Sequence, residues 1–341
     1  MGASGPTISS QRAAQIFDRA AGKQAIVLGD MVVDEHIIGS ATRLSREAPL
    51  PVIEEHKRVL VPGAGTNVAT NLRGLGCEVA VAGVVGADAM AERLSEQLEQ
   101  RGIETDGLIR DSDRTTAVKL RVWAGGDRQR PQSMIARVDS VDRSPVRQAT
   151  VDALASFLNS AIPAADALVI SDYEAGVVSS SVLRAALPTA RESGLVVTAD
   201  AHGQLARFQN ATLLTPNQPE AEAELGREIT STSDALAAAG ELRQAIGVEA
   251  VLVTLGAAGM VLDAGDQGCA LFPAAVAGRV VDPSGAGDTV AAAMTAAFLG
   301  GATPHEAAAL SALAARIVVR QLGVAVVTAD QIVSEAGDNE A

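Results

Sequence analysis

One Trp, one Tyr and five Phe are the only such rings in 341 residues. So few cannot build the stacking platforms on which single-stranded nucleic acid is held. Cysteine is equally scarce. Cys77 and Cys269 lie far apart, which excludes a disulfide framework and a paired-cysteine zinc site. The four histidines, His36, His56, His202 and His305, show no metal-ligand spacing. Positive charge is short as well, with 27 basic against 41 acidic side chains and a formal net charge of −14 at pH 7. That field disfavours nucleic acid and anionic membranes, so any anionic substrate has to be held by a local device. No apolar run reaches the ~20 residues of a membrane span. The start of the chain lacks a charged-then-apolar leader pattern, and Gln11 to Ala21 reads as a short amphipathic helix. The expectation is a cytoplasmic protein with neither nucleic acid nor membrane as partner.

What is present suits a folded enzyme. Hydrophobic residues make up 48% and charged residues 20%, and the length allows a full core. Strands are predicted at Ala25 to Leu28, Val79 to Val85, Ala167 to Ile170, Leu195 to Thr198, Thr212 to Leu214 and Ala250 to Thr254. Helical patterns, such as Thr66 to Leu75 and Ala89 to Gln100, lie between most of them. This alternation predicts an α/β fold with a mostly parallel central sheet covered on both faces. Pro51 to Val61 and Thr115 to Trp123 break the rhythm with alternating β-prone and charged residues, the pattern of antiparallel strands with a solvated face. They predict a small β-sheet lid formed by about residues 36–62 and 105–138, within a single domain of residues 1–341. Ala124 to Gln132, rich in Gly, Arg and Gln, reads as a mobile loop.

The most informative segment is Asp282-Pro283-Ser284-Gly285-Ala286-Gly287-Asp288, ahead of the apolar run Thr289 to Leu299. Small residues before a helix leave backbone N–H groups unpaired and aimed one way, which makes an anion site reinforced by the helix dipole. A carboxylate in the first turn, Asp288, can take a proton from an attacking hydroxyl beside that site. The same pattern also fits a tight turn into a buried Ala helix with an ordinary first-turn acid. Asp30 and Asp34 follow the first strand, at the end of an open α/β sheet where ligands bind. Lys119 in the second lid strand could reach an anion or simply be solvated.

Four segments in order resemble the signatures of the ribokinase/PfkB family of carbohydrate kinases. They are Gly63-Ala64-Gly65-Thr66-Asn67-Val68-Ala69, Thr215-Pro216-Asn217-Gln218-Pro219-Glu220, Val253-Thr254-Leu255-Gly256-Ala257-Ala258-Gly259 and Asp282 to Asp288, where Pro283 replaces the usual threonine. The resemblance implies a ribokinase-like fold, ATP and Mg²⁺ as cofactors, and a small sugar or sugar phosphate as partner. Asp288 would be the base and Gly285, Ala286 and Gly287 the anion hole. Gly63, Gly65, Asn67, Asp30 and Asp34 would line the sugar site, with Asn67 otherwise a helix cap. Asn217, Thr254, Gly256, Gly259 and Ser284 would face the nucleotide, and Glu220, otherwise a plain first-turn acid, would organise Mg²⁺ with Asn217. A homodimer through the lid is also implied, with Val52, Ile53, Val59 and Val61 suited to it.

Within that family, Gly29 to Asp34, Arg43 to Val52, Ser171-Asp172-Tyr173, Ala211 to Asn217 and Gly285 to Thr289 are similar to the kinase half of enzymes that phosphorylate D-glycero-D-manno-heptose 7-phosphate at O1. Those enzymes are often fused to a nucleotidyltransferase with a His-x-Gly-His motif, which is absent here, so a stand-alone kinase is implied. Two of their lysines are missing: Glu174-Ala175 follow Tyr173, and Asp200-Ala201-His202-Gly203 has His202 in place of lysine, read as packing or surface. Arg43, Arg46, Lys119 and Arg121 remain to hold a sugar phosphate. The alternatives are a ribokinase- or fructokinase-like kinase of an unphosphorylated sugar, and a non-catalytic sugar-binding regulator. A dinucleotide-dependent dehydrogenase would need Gly-x-Gly-x-x-Gly after the first strand, which Gly29-Asp30-Met31 does not supply.

Overall fold

The computed structural model describes residues 5–125, 133–274 and 280–338. Twelve strands among them are β1 Gln24–Leu44, β2 Pro51–Ala64, β3 Glu78–Gly86, β4 Ile103–Asp111, β5 Ala117–Ala124, β6 Ser133–Ser140, β7 Ala167–Asp172, β8 Val196–Ala201, β9 Leu213–Leu214, β10 Ala250–Thr254, β11 Met260–Asp263 and β12 Cys269–Phe272. Ten helices accompany them: α1 Ser10–Ala20, α2 Gly65–Gly74, α3 Ala89–Glu99, α4 Gln148–Ala161, α5 Ser180–Glu192, α6 Gln218–Leu225, α7 Thr232–Ile246, α8 Ala286–Leu299, α9 Pro304–Val318 and α10 Ala329–Asp338. None of the described helices is long and apolar enough to cross a membrane.

The main sheet runs β12-β11-β10-β9-β8-β7-β1-β3-β4. Strands β4 to β10 in that order are mutually parallel, while β11 and β12 are antiparallel additions at one edge. Successive strand side chains point to opposite faces. Hence Val27 and Val169 join the core under α1, α2, α8 and α9, whereas Ile26, Leu28, Leu168 and Ile170 join the core under α4, α5 and α7. Helix α8 is buried along residues 288–297, which is why it is built from Ala and other small residues on every side.

A smaller sheet is ordered β2-β1-β5-β6, since β1 continues past Asp30 and pairs with β2 from Met31 and with β5 from Val32. One unbroken strand therefore serves both sheets. The expected boundary at residue 105 is corrected: residues 105–111 lie in β4 and pair with β3 in the main sheet. As an edge strand with one solvated side, β4 carries the half-charged pattern of a lid strand. The loop expected at Ala124 to Gln132 falls, from residue 126 on, outside the described residues.

Candidate active site

Asp288 occupies the first turn of α8, whose N-cap Gly285 is left-handed (φ 77°) and offers no side-chain cap. The Ala286 N–H turns back to the Pro283 carbonyl at 3.2 Å, while those of Gly287 and Asp288, next in the first turn, are left for a ligand. Gly285 can be nothing larger, because an added Cβ would also sit 2.7 Å from Nδ2 of Asn67. The Asp288 carboxyl is buried and held by two neutral donors, Nδ2 of Asn67 at 2.8 Å from Oδ2 and the Tyr173 hydroxyl at 2.8 Å from Oδ1. Burial pushes its pKa up to about 6, while the bonds from Asn67 and Tyr173 pull it back down. A carboxylate poised there is ionised at neutral pH and basic enough to take a proton.

Above Asp288 a cavity of about 430 Å³ opens between the two sheets, with Asp34, Lys119, Tyr173, His202, Ser284 and Gly285 on its walls. Asp34 forms a buried ion pair with Arg121, and Gly63 passes so close to its Oδ2 that a Cβ there would collide. Lys119 stands with its Nζ 4.2 Å from the centre of the Tyr173 ring, and burial lowers its pKa. Arg137 and Arg143 also line the cavity. Arg137 is bound to Asp139 at 2.8 Å, whereas Arg143 makes no side-chain bond to any described residue. Arg43 and Arg46, expected to serve a sugar phosphate, are exposed and lie outside the cavity wall.

Two residues expected at the sugar site, Asp30 and Asn67, also hold the site together. The Asp30 carboxylate accepts the backbone N–H groups of Tyr173, Ala175 and Val177 at 2.8, 3.0 and 3.3 Å. It ties down the loop after β7 and does not line the cavity. Asn67 gives an amide N–H to Asp288 and takes one at its Oδ1 from Asn71, so it orients the acid. Gly65 opens α2 directly beneath, at 3.2 Å from the Asp30 carbonyl as judged by an added Cβ.

The nucleotide-side residues gather on the neighbouring strand ends. Asn217 caps α6 and shares a capping box with Glu220. Its backbone pairs with Thr254 at the end of β10, and Gly256 and Gly259 form the turn that follows. Among these only Ser284 reaches the cavity wall. His202, read as packing or surface, is in the cavity: its Nδ1 lies 2.5 Å from Oε1 of Glu220 and its ring meets Tyr173 edge-on at 4.3 Å. The bond to Glu220 raises the His202 pKa. The Asp200 carboxyl nearby, bonded to Thr215 at 3.0 Å, is pushed up by burial and by the charges of Asp288 and Glu220. Among the described residues, no three His, Cys, Asp or Glu side chains are grouped to hold a metal directly. Tyr173 and Asp200 are site residues that composition and spacing missed; only the Ser-Asp-Tyr and Asp-x-x-Gly likenesses hinted at them.

A doubly covered α/β sheet, a smaller sheet over its strand ends and a carboxylate at an uncapped helix start define a phosphotransferase of the carbohydrate-kinase class. The pfkB family carbohydrate kinase model matches residues 27–330, and the chain belongs to that family. Similar curated proteins include the bifunctional protein HldE of Citrifermentans bemidjiense, 36% identical across 94% of this chain and 65% of that protein. HldE of Caulobacter vibrioides is 39% identical across 92% of this chain and 63% of that protein. The chain thus spans a little under two thirds of the length of these relatives. Phosphofructokinase-2 from Escherichia coli, crystallised with potassium, superposes with a TM-score of 0.76 at 19% identity, over 94% of this chain and all of that one. Arabidopsis thaliana ribokinase complexed with ribose and ATP gives 0.70 at 18% identity, over 93% and 99%. The ribokinase-like fold is thereby shown.

Proposed function

We propose that the chain transfers the γ-phosphoryl group of ATP to a hydroxyl of a sugar phosphate, with D-glycero-D-manno-heptose 7-phosphate, acting at O1, as the leading acceptor. One observation carries the reading: the neutral-donor clamp on Asp288 faces a cavity that also holds Lys119, Arg121, Arg137 and Arg143. Asp288 takes the proton of the attacking hydroxyl while the open N–H groups of α8 stabilise charge on the moving phosphoryl group. Asp34 accepts hydroxyl donors from the sugar, and the cations of β5, β6 and the following turn hold its phosphate. The smaller sheet acts as a lid that excludes water.

Mg²⁺ suits the donor set on the nucleotide side. Asp200 and Glu220 crowd negative charge at one place, and Mg²⁺ keeps most of its waters while using one or two carboxylates with substrate phosphates. Those two residues would hold it, and the ion would neutralise phosphate charge when bound. A homodimer is proposed through the smaller sheet, where Met134, Ile135 and Val138 are exposed on β6.

A second reading rests on the pairing of the cations. Arg121 and Arg137 are already matched by Asp34 and Asp139, which leaves Lys119 and Arg143 for a dianion and would suit an unphosphorylated sugar. The test is kcat/KM for heptose 7-phosphate beside ribose, fructose and their monophosphates. Preference for an unphosphorylated sugar would replace the first reading with the second; absence of ATP-dependent phosphorylation of any acceptor would sink both.

A further inference from the structure

Every other parallel crossover of the main sheet near β8 is made by a full helix, but β8 joins β9 through residues 202–212 with one short turn of 3₁₀ helix, Leu205–Phe208. The missing helix leaves a groove beside α5. Its cavity measures about 650 Å³, larger than the one above Asp288. The floor is apolar, with Leu183, Leu187 and Val197. Val197 points away from α8, because its strand neighbour Thr198 bonds Thr295 of that helix at 2.8 Å. The groove therefore lies on the opposite face of the sheet from the base-bearing helix.

Its rim is cationic in a chain of net charge −14. Arg184 and Arg191, seven residues apart and so on one face of α5, both line the cavity, as does Arg207. Neither Arg184 nor Arg191 bonds any described residue through its side chain. Arg207 is fixed by Asp172 at 3.2 Å and by the carbonyl of Val178, and its Nε is buried without a partner among the described residues. Against these three, Glu192 is the only acid among the described lining residues. With Asp172 also set against Arg207, the rim keeps an excess of about one positive charge, and the two side chains without a partner among the described residues, Arg184 and Arg191, are the ones open to the oxygens of a phosphate monoester.

We infer that this groove binds a small organic phosphate, its apolar or ring body on Leu183, Leu187 and Val197 and its phosphate at Arg184, Arg191 and Arg207. Guanidinium forks fit phosphate oxygens in pairs, and a half-closed apolar floor strengthens them by excluding water. A phosphate that engages Arg207 draws on the same guanidinium as Asp172, the residue directly before Tyr173. The inference is independent of the kinase reading.

The test is a calorimetric titration of the full chain with phenyl phosphate as probe. Saturable binding is expected, at least ~10-fold tighter than that of phenol. The double variant Arg184→Gln/Arg191→Gln should weaken it by at least ~10-fold, the usual cost of lost charged hydrogen bonds. Both side chains are exposed, so that variant should keep the wild-type melting temperature. Arg143→Gln, in the cavity above Asp288, should leave the probe's affinity unchanged. Equal affinity for phenol, full affinity in the double variant, or loss in Arg143→Gln would each overturn the site.

Discussion

The hydroxyl of Tyr173 donates to Oδ1 of Asp288 at 2.8 Å, which joins the loop after β7 to the first turn of α8. The loop is held in turn by Asp30, whose buried carboxylate accepts three of its backbone N–H groups. An acid on β1 thereby sets the orientation of a base more than 250 residues later in the chain.

Tyr173→Phe keeps the ring but removes a donor that favours the charged form of Asp288. The wild-type acid limb of kcat/KM should fall near pH 6, with activity present above it and lost below. In the variant that limb should move to higher pH, and turnover at pH 6 should drop more than turnover at pH 8. An unshifted limb would reduce Tyr173 to a packing residue.

Asp288→Asn should lower turnover by at least ~10²-fold, the usual worth of a positioned base, with ATP binding little changed. It should also stabilise the fold. The folded-state pKa of Asp288 is raised, so its ionisation opposes folding as pH rises from about 3.8 to about 6. The variant's gain should therefore be present at pH 7, up to roughly 3 kcal/mol at 1.36 kcal/mol per pKa unit, and should vanish toward pH 4. Thermal melts of both proteins across that range measure it.

Glu220→Gln retains the shape of the capping box while removing its charge. If Glu220 helps to hold Mg²⁺, the concentration for half-maximal rate should rise on the order of tenfold, as for other residues around a metal, with sugar KM nearly unchanged. An unchanged Mg²⁺ requirement would return Glu220 to the single task of capping α6.

Arg143→Gln and Lys119→Met remove the two cavity cations without an acidic hydrogen-bond partner. Each should weaken a sugar phosphate by about 1.5–3 kcal/mol, read as a higher KM, while neutral sugars bind as before. A uniform loss for all sugars would place these cations outside phosphate recognition.

The parts of the site built from neighbouring residues were legible in the sequence. Gly285 to Asp288 reads as an anion site because a loop of small residues meets a helix within a few positions. The parallel sheet was equally legible, since short buried strands announce themselves locally. Roles set by distant packing were not. Nothing near Asp30 in sequence tells that the loop at residues 173–177 folds over its carboxylate, or near Asn67 that α8 brings Asp288 within 2.8 Å of its amide. His202 reads as surface because nothing nearby in sequence says that Glu220 and Tyr173 will enclose it. Arg137 enters the cavity because β6 pairs with β5 in a register that sets it opposite Arg121.

Strand β1 runs for 21 residues through both sheets, and its register irregularities against β2 fall only farther along, at Ile38/Gly39 and Ala41/Arg43. The smaller sheet is thus not hung on a loop but is continuous with the main sheet through that strand. The two sheets part on β1 between Asp30, which still pairs with β3, and Val32, which already pairs with β5. The sugar-side acid, Asp34, and the anchor of the Tyr173 loop, Asp30, sit on the same five-residue stretch of that strand, so a shift of the small sheet, if the proposed lid closes, would be shared by the sugar pocket and by the loop that orients the base.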